Sequence, residues 1–199
     1  HTGTQQEVVL TQSFSAAELQ AFFAQQCQRF LAWARSEAAH RTARDQALAA
    51  LRFPLARFRA GQRDLAVAVY RAAAGSAAGA CLMAQAPTGI GKTLGTLFPM
   101  LKACATQGID KVFFLTAKGT GHALALQALQ QTGAQLAAQA AEGGSPALPL
   151  RVLDLQSRDK SCEHPDKACH GDSCPLAQGF YDRLPAARSQ AFAQPNALV

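Results

Sequence analysis

At 199 residues the chain has room for one domain with elaborations but not for two full-size domains with separate cores, which excludes a complete two-domain motor. Nineteen Lys and Arg against 13 Asp and Glu give a formal charge of +6, a bias toward polyanions such as nucleic acid. With 49% hydrophobic and only 16% charged residues, disorder throughout is excluded and a sizeable core can form.

The first element expected is strand-like, Glu7 to Phe14 (EVVLTQSF). Ser15-Ala16-Ala17-Glu18 follows as a capping box, in which the serine oxygen and the glutamate satisfy the first free amides of a helix, with Phe14 and Leu19 at the positions of a hydrophobic staple. Leu19, Phe22, Phe23, Phe30, Leu31 and Trp33 then recur at helical spacing toward Leu51, broken only by a polar, Arg-rich stretch around His40, so one long or two shorter helices are expected. Phe53-Pro54 opens a new unit, because proline disfavours helix at the residue before it.

Beyond it the predicted order is helix (Gly61 to Ala73), strand (Cys81 to Gln85), glycine-rich turn, helix (Lys92 to Ala105), strand (Lys111 to Ala117), helix (His122 to Ala141) and strand (Arg151 to Leu155). Strands alternating with helices predict an α/β sandwich around a parallel sheet. The turn Glu142-Gly143-Gly144-Ser145-Pro146 reads as a loop, and there is no internal repeat. After Leu155 the sequence becomes short, polar and cysteine-containing, in the manner of an insertion, before a helix expected from Pro185.

No apolar run approaches the ~20 residues needed to span a bilayer, and the N-terminus lacks the basic, apolar and small-residue order of a signal peptide, so a cytoplasmic setting is expected. The sequence starts at His1 rather than Met, and a piece of something longer is expected. Three cysteines are scattered (Cys27, Cys81, Cys104) and three crowd into thirteen residues (Cys162, Cys169, Cys174). In a cytosolic chain such crowding points to a metal or cluster rather than to disulfides.

The strongest chemical signal is Ala86-Pro87-Thr88-Gly89-Ile90-Gly91-Lys92-Thr93, between a predicted strand and a predicted helix. Small residues let such a loop wrap closely around phosphate oxygens, and the backbone amides and helix N-terminus offer partial positive charge. Lys92 would reach the β and γ phosphates and Thr93 would ligate Mg²⁺. The rival reading is a glycine-rich turn with an incidental lysine, to which Ala86 in place of the usual first glycine lends support. Upstream, Phe58-Arg59-Ala60-Gly61-Gln62 offers an amide able to pair with both edges of adenine and an aromatic to stack nearby, which favours ATP; a helix cap with a solvated glutamine is the alternative.

Cys162, Cys169 and Cys174 form a C-x6-C-x4-C array whose last member precedes Pro175, a Cys-Pro pair also found at cluster ligands. Three soft ligands suit iron–sulfur or zinc; His164 or His170 could complete a Cys₃His zinc site, and free surface thiols are a third option. Arg158, Lys160, Lys167 and Arg183 with Phe180 and Tyr181 could form a DNA-facing surface, or a solvated helix whose aromatics face the core.

Taken in order, FRAGQ, APTGIGKT, FFLTAKGTG and RDKSCEHPDKACHGDSCPLAQGFYDRLPAA resemble the DinG and XPD family of iron–sulfur DNA helicases, over about Phe53 to Ala187. The N-terminal part also resembles the linker helices of bacterial members that carry a PD-(D/E)XK nuclease ahead of the helicase, although no nuclease motif is present. The resemblance implies a RecA-like parallel sheet with an iron–sulfur insertion, divided as 1–52 (strand and helical linker), 53–157 (part of the first RecA-like motor domain) and 158–199 (insertion and following helix). It implies that Phe58, Arg59 and Gln62 contact adenine and that Pro87, Thr88, Gly89, Ile90, Gly91, Lys92 and Thr93 hold ATP and Mg²⁺, Lys92 and Thr93 acting in catalysis. Thr116, Lys118 and Thr120 would grip single-stranded or forked DNA, and Cys162, Cys169 and Cys174 would hold a [4Fe–4S] cluster whose fourth ligand lies beyond Val199.

The family also needs a DEAH-type carboxylate pair, which this sequence lacks; Asp154 ends a late apolar stretch and no Glu follows it. The expected activity is ATP-dependent DNA unwinding by the intact protein, with the isolated piece inactive. Two alternatives remain open on the sequence: a non-catalytic nucleic-acid-binding or redox-sensing module with a nucleotide switch, and a zinc-containing P-loop kinase.

Overall fold

The computed structural model describes residues 9–75, 80–117, 119–144, 150–155, 157–166 and 169–193. The chain divides into two compact units, His1–Thr42 and Ala43–Val199. Its helices are α1 (Ala16–Ala50), α2 (Gln62–Ala74), α3 (Lys92–Gln107), α4 (Gly119–Glu142), the single turn α5 (Arg158–Ser161) and α6 (Phe180–Ala193). Among the described residues none is long and apolar enough to cross a membrane.

Among the described residues there is no strand, only an isolated bridge residue at Val152, so the expected RecA-like parallel sheet is overturned and the architecture is helical. Among the described residues the segments read as strands (81–85, 111–117 and 151–155), and the described part of the first (9–14), form no strand, and Val152 alone makes a single bridge. Several of their apolar side chains are left outside, Met83 94% exposed, Leu115 89% and Leu155 77%, although Val112 packs against a buried cluster. Apolar runs and alternation report that a segment would fit a sheet. A strand exists only where another segment takes up its N–H and C=O groups, and here the helices pack on one another instead.

Helix α1 begins where its capping box places it. The Ser15 amide and hydroxyl both donate to Glu18 Oε2 at 2.7 Å, and the Glu18 amide donates back to Ser15 Oγ at 3.2 Å. These bonds, the backbone one foremost, hold the Glu18 carboxyl below the usual carboxylate range. The helix continues unbroken through the Arg-rich stretch around His40. In the first unit its aromatic residues are exposed, with the Phe30 and Trp33 rings 5.7 Å apart.

The second unit starts within the last turns of α1, whose Leu48 joins Leu51, Cys104 and Leu136 in a buried cluster. The C-terminal carbonyls of α1 have no partners in their own helix, and neighbouring helices supply them. Lys102 Nζ of α3 donates to Ala49 O (2.9 Å) and Leu51 O (3.0 Å), while Gln139 Nε2 of α4 donates to Ala50 O (2.8 Å) and its Oε1 accepts from the Arg52 amide (2.9 Å). Arg52 also pairs with Glu142.

A second cluster, Leu94, Leu97, Ala125 and Ala128, joins α3 to α4, with Phe53 and Phe98 packed against it. Phe53 and Phe58 stack at 3.8 Å, and Phe98 meets Phe53 edge-on at 5.3 Å. Helices α2 and α3 approach closely at Gly95, where a Cβ would lie 3.3 Å from Gln62 Cγ and Leu65 Cδ2. That approach fixes the start of α3, and with it the glycine loop, beside the start of α2.

Candidate functional site

The glycine loop turns sharply into α3. Gly89 (φ 86°) and Gly91 (φ 82°) both occupy the left-handed region, which side-chain-bearing residues rarely adopt, and Gly91 immediately precedes the first helical residue, Lys92. No side chain caps this helix start. Lys92 Nζ folds back over the loop and donates to the carbonyls of Ala86 (2.8 Å) and Pro87 (2.9 Å). Thr88 and Pro87 are exposed, and Ile90 and Thr93 are half-buried. A loop with two left-handed glycines, an exposed ammonium and an uncapped helix start is chemically suited to an anionic ligand.

The upstream FRAGQ segment is tied directly to this loop. Gln62 is 1% exposed, and both ends of its amide are engaged: Oε1 accepts from the Arg59 amide at 3.0 Å and Nε2 donates to Gly91 O at 2.9 Å. Arg59 Nη1 donates to Gly89 O at 2.6 Å. A Cβ on Gly91 would stand 2.4 Å from Gln62 Nε2, so only glycine lets the amide reach the loop. Phe58, half-buried, has its ring stacked on Phe53.

Of the residues expected at DNA, Lys118 lies outside the described residues. Thr116 and Thr120 are both exposed, on either side of the start of α4. Gly121 permits Thr116 to lie against that first turn, since a Cβ there would sit 3.3 Å from Thr116 Cβ and Cγ2. The next residue, His122, meets Asp154, Nε2 to Oδ1 at 2.6 Å, with both side chains partly buried. Nothing in local spacing announces this contact, because the partners are 32 residues apart and the expected strand that carried Asp154 does not form.

The six cysteines form no disulfide, with Cys174 buried, Cys162 half-buried and Cys169 exposed. Their donor chemistry fits an iron–sulfur or zinc group, yet among the described residues no three His, Cys, Asp or Glu side chains converge closely enough to hold a metal. His164 is engaged at both ring nitrogens: Nε2 lies 3.2 Å from Ser173 O and Nδ1 accepts from the Asp166 amide at 3.3 Å. Recruiting it to zinc would break one of these bonds.

The Cys174-Pro175 turn is held from α6. Arg183 Nη2 lies within reach of three carbonyls, Gln178 O (2.8 Å), Leu176 O (3.0 Å) and Pro175 O (3.4 Å). Arg183 therefore serves the turn. Phe180 and Tyr181 are exposed and meet edge-on at 5.3 Å, so these aromatics do not face the core. Lys167 lies outside the described residues.

Compared with known proteins, the chain matches no family model, no curated protein and no solved structure. The assignment of a function thus rests on residues and their geometry.

Proposed function

We propose that the chain holds the triphosphate of a nucleotide on its glycine loop, as part of an ATP-dependent DNA helicase. The observation that carries the reading is the loop itself: Gly89 and Gly91 in left-handed conformations, leading straight into Lys92 at the start of α3, with Lys92 Nζ resting on the Ala86 and Pro87 carbonyls. An ammonium parked on two carbonyls can swing to phosphate oxygens at small cost, because it is exposed and exchanges one set of acceptors for a more strongly charged one. Thr93, the next residue, would offer its hydroxyl to Mg²⁺, which neutralises phosphate charge when bound.

Single-stranded DNA as partner is supported by the excess of basic residues and by exposed Thr116, before α4, and Thr120, in its first turn. A [4Fe–4S] cluster would be held by Cys162, Cys169 and Cys174, where it would cross-link a segment with little apolar content of its own. In a rival zinc site His164 already spends both nitrogens, which leaves His170 as the histidine that zinc would recruit. Hydrolysis needs a pair of metal-holding carboxylates that this sequence does not contain, so the chain by itself is expected to bind nucleotide without turning it over.

The test is Lys92→Ala, measured by calorimetry with Mg²⁺-ATP. Loss of binding with an unchanged circular dichroism spectrum is expected, since among the described residues Lys92 Nζ bonds to the loop carbonyls of Ala86 and Pro87. Equal affinity in the variant would remove the phosphate assignment. Anaerobic purification followed by iron, sulfide and zinc analysis separates the cluster from zinc.

A further inference from the structure

The bonding of Gln62 conflicts with a role in reading the base. To recognise adenine, a glutamine amide must present its oxygen and its N–H together along one open edge. In this structure Oε1 is taken by the Arg59 amide and Nε2 by the Gly91 carbonyl, and the residue is 1% exposed. The orientation of the amide follows from its partners, because the Arg59 N–H can only donate and the Gly91 carbonyl can only accept. Turning the amide toward a base would forfeit both bonds and orphan a partly buried Arg59 N–H.

The same short segment makes a second tether, Arg59 Nη1 to Gly89 O. The two bonds fall on the carbonyls of the two left-handed glycines and on no others in the loop. Those carbonyls must point away from a bound anion if the loop amides are to point toward it. Holding them from behind orients the amides for phosphate before any ligand arrives, and preorganisation of this kind raises affinity for whatever the amides bind.

We infer that Gln62 and Arg59 are positioning residues for the phosphate loop, and that Gln62 does not select the base: its contribution to nucleotide binding is the same for ATP, GTP and inorganic tripolyphosphate. This rests on the phosphate-loop reading above and adds that the site recognises the triphosphate, with base selectivity arising elsewhere or not at all.

The experiment compares the affinities of ATP, GTP and inorganic tripolyphosphate, each with Mg²⁺, for the full chain carrying Gln62→Met or Arg59→Lys. The first replacement is neutral and of similar volume but can make neither bond; the second keeps the charge and loses the guanidinium. Gln62→Met is expected to weaken all three ligands by a similar factor, on the order of tenfold. Arg59→Lys should do the same to a smaller extent, about threefold. Amide hydrogen exchange of residues 88–93 in the unliganded variants should quicken while α4 is unchanged, which general loss of structure would not produce.

A loss confined to ATP, with GTP and tripolyphosphate unaffected, would overturn the inference, as would unchanged affinities in both variants. Should Gln62→Met fail to fold, Arg59→Lys carries the comparison, since Arg59 is exposed. A wild-type chain that binds none of the three ligands removes the phosphate-loop reading as well, whereas wild-type binding with an ATP-only loss removes this inference alone.

Discussion

Gln62 and Gly91 fit together as lock and space: the amide nitrogen donates to the Gly91 carbonyl at 2.9 Å, and a Cβ on Gly91 would come within 2.4 Å of that nitrogen. The glycine is therefore required twice, for its φ of 82° and for the vacancy into which the amide reaches. Gly91→Ala is expected to destabilise the fold by roughly 1–3 kcal/mol, from left-handed strain and the displaced amide together. Gly89→Ala, whose Cβ would meet nothing within 4 Å, should cost only the strain, about 1 kcal/mol. Urea melts of the two variants check the difference; equal losses would show that the contact with Gln62 adds nothing.

The start of α1 should respond to acid. Because the Glu18 carboxyl is held below its ordinary range by the Ser15 amide and hydroxyl, its capping contribution is fully present above the unfolded-state value and is lost as pH falls through the lower, folded value. Carbon NMR titration should place the Glu18 carboxyl below an exposed reference glutamate. Ser15→Ala should return it toward the ordinary range, and amides 16–18 should then exchange faster.

Leu48 is 1% exposed and touches residues from α3 and α4. Leu48→Ala should therefore cost about 2–5 kcal/mol by the apolar transfer and the cavity it leaves. Leu19→Ala, on the exposed part of α1, should change stability by less than about 0.5 kcal/mol. Thermal and urea unfolding of both variants distinguish a packed C-terminal end of α1 from an element that is solvated throughout.

Arg183 binds the carbonyls that follow Cys174, so Arg183→Met is expected to loosen the 175–178 turn without disturbing the buried clusters of α3 and α4. Limited proteolysis should cut the variant earlier at this turn. Unaltered cleavage would assign the three contacts no mechanical role.

His122 and Asp154 join the first turn of α4 to the 150–155 segment. A double-mutant cycle with His122→Ala and Asp154→Ala should return a coupling on the order of 1 kcal/mol, as for a partly buried pair at hydrogen-bond distance. A coupling near zero would show that solvent competes the contact away.

Local chemistry made α1 to α4 legible, whereas α6 starts at Phe180, ahead of the expected Pro185, which lies inside it. The Ser15–Glu18 box marks the start of α1, and the glycines at 61, 91 and 108 bracket α2 and α3, because capping and left-handed backbone are decided within a few residues. The glycine loop and its lysine were equally plain, since that motif is contiguous. The stretches 81–85, 111–117 and 151–155 were not, because a strand is a property of two segments, and apolar content alone cannot say whether a partner will be present. Gln62 shows the same division at a single residue. Its spacing from the loop was visible in sequence, but an amide has two faces of hydrogen bonding, and only the packing of α2 on α3, which brings Gly91 within 2.9 Å, decided that the loop and not a base would occupy them.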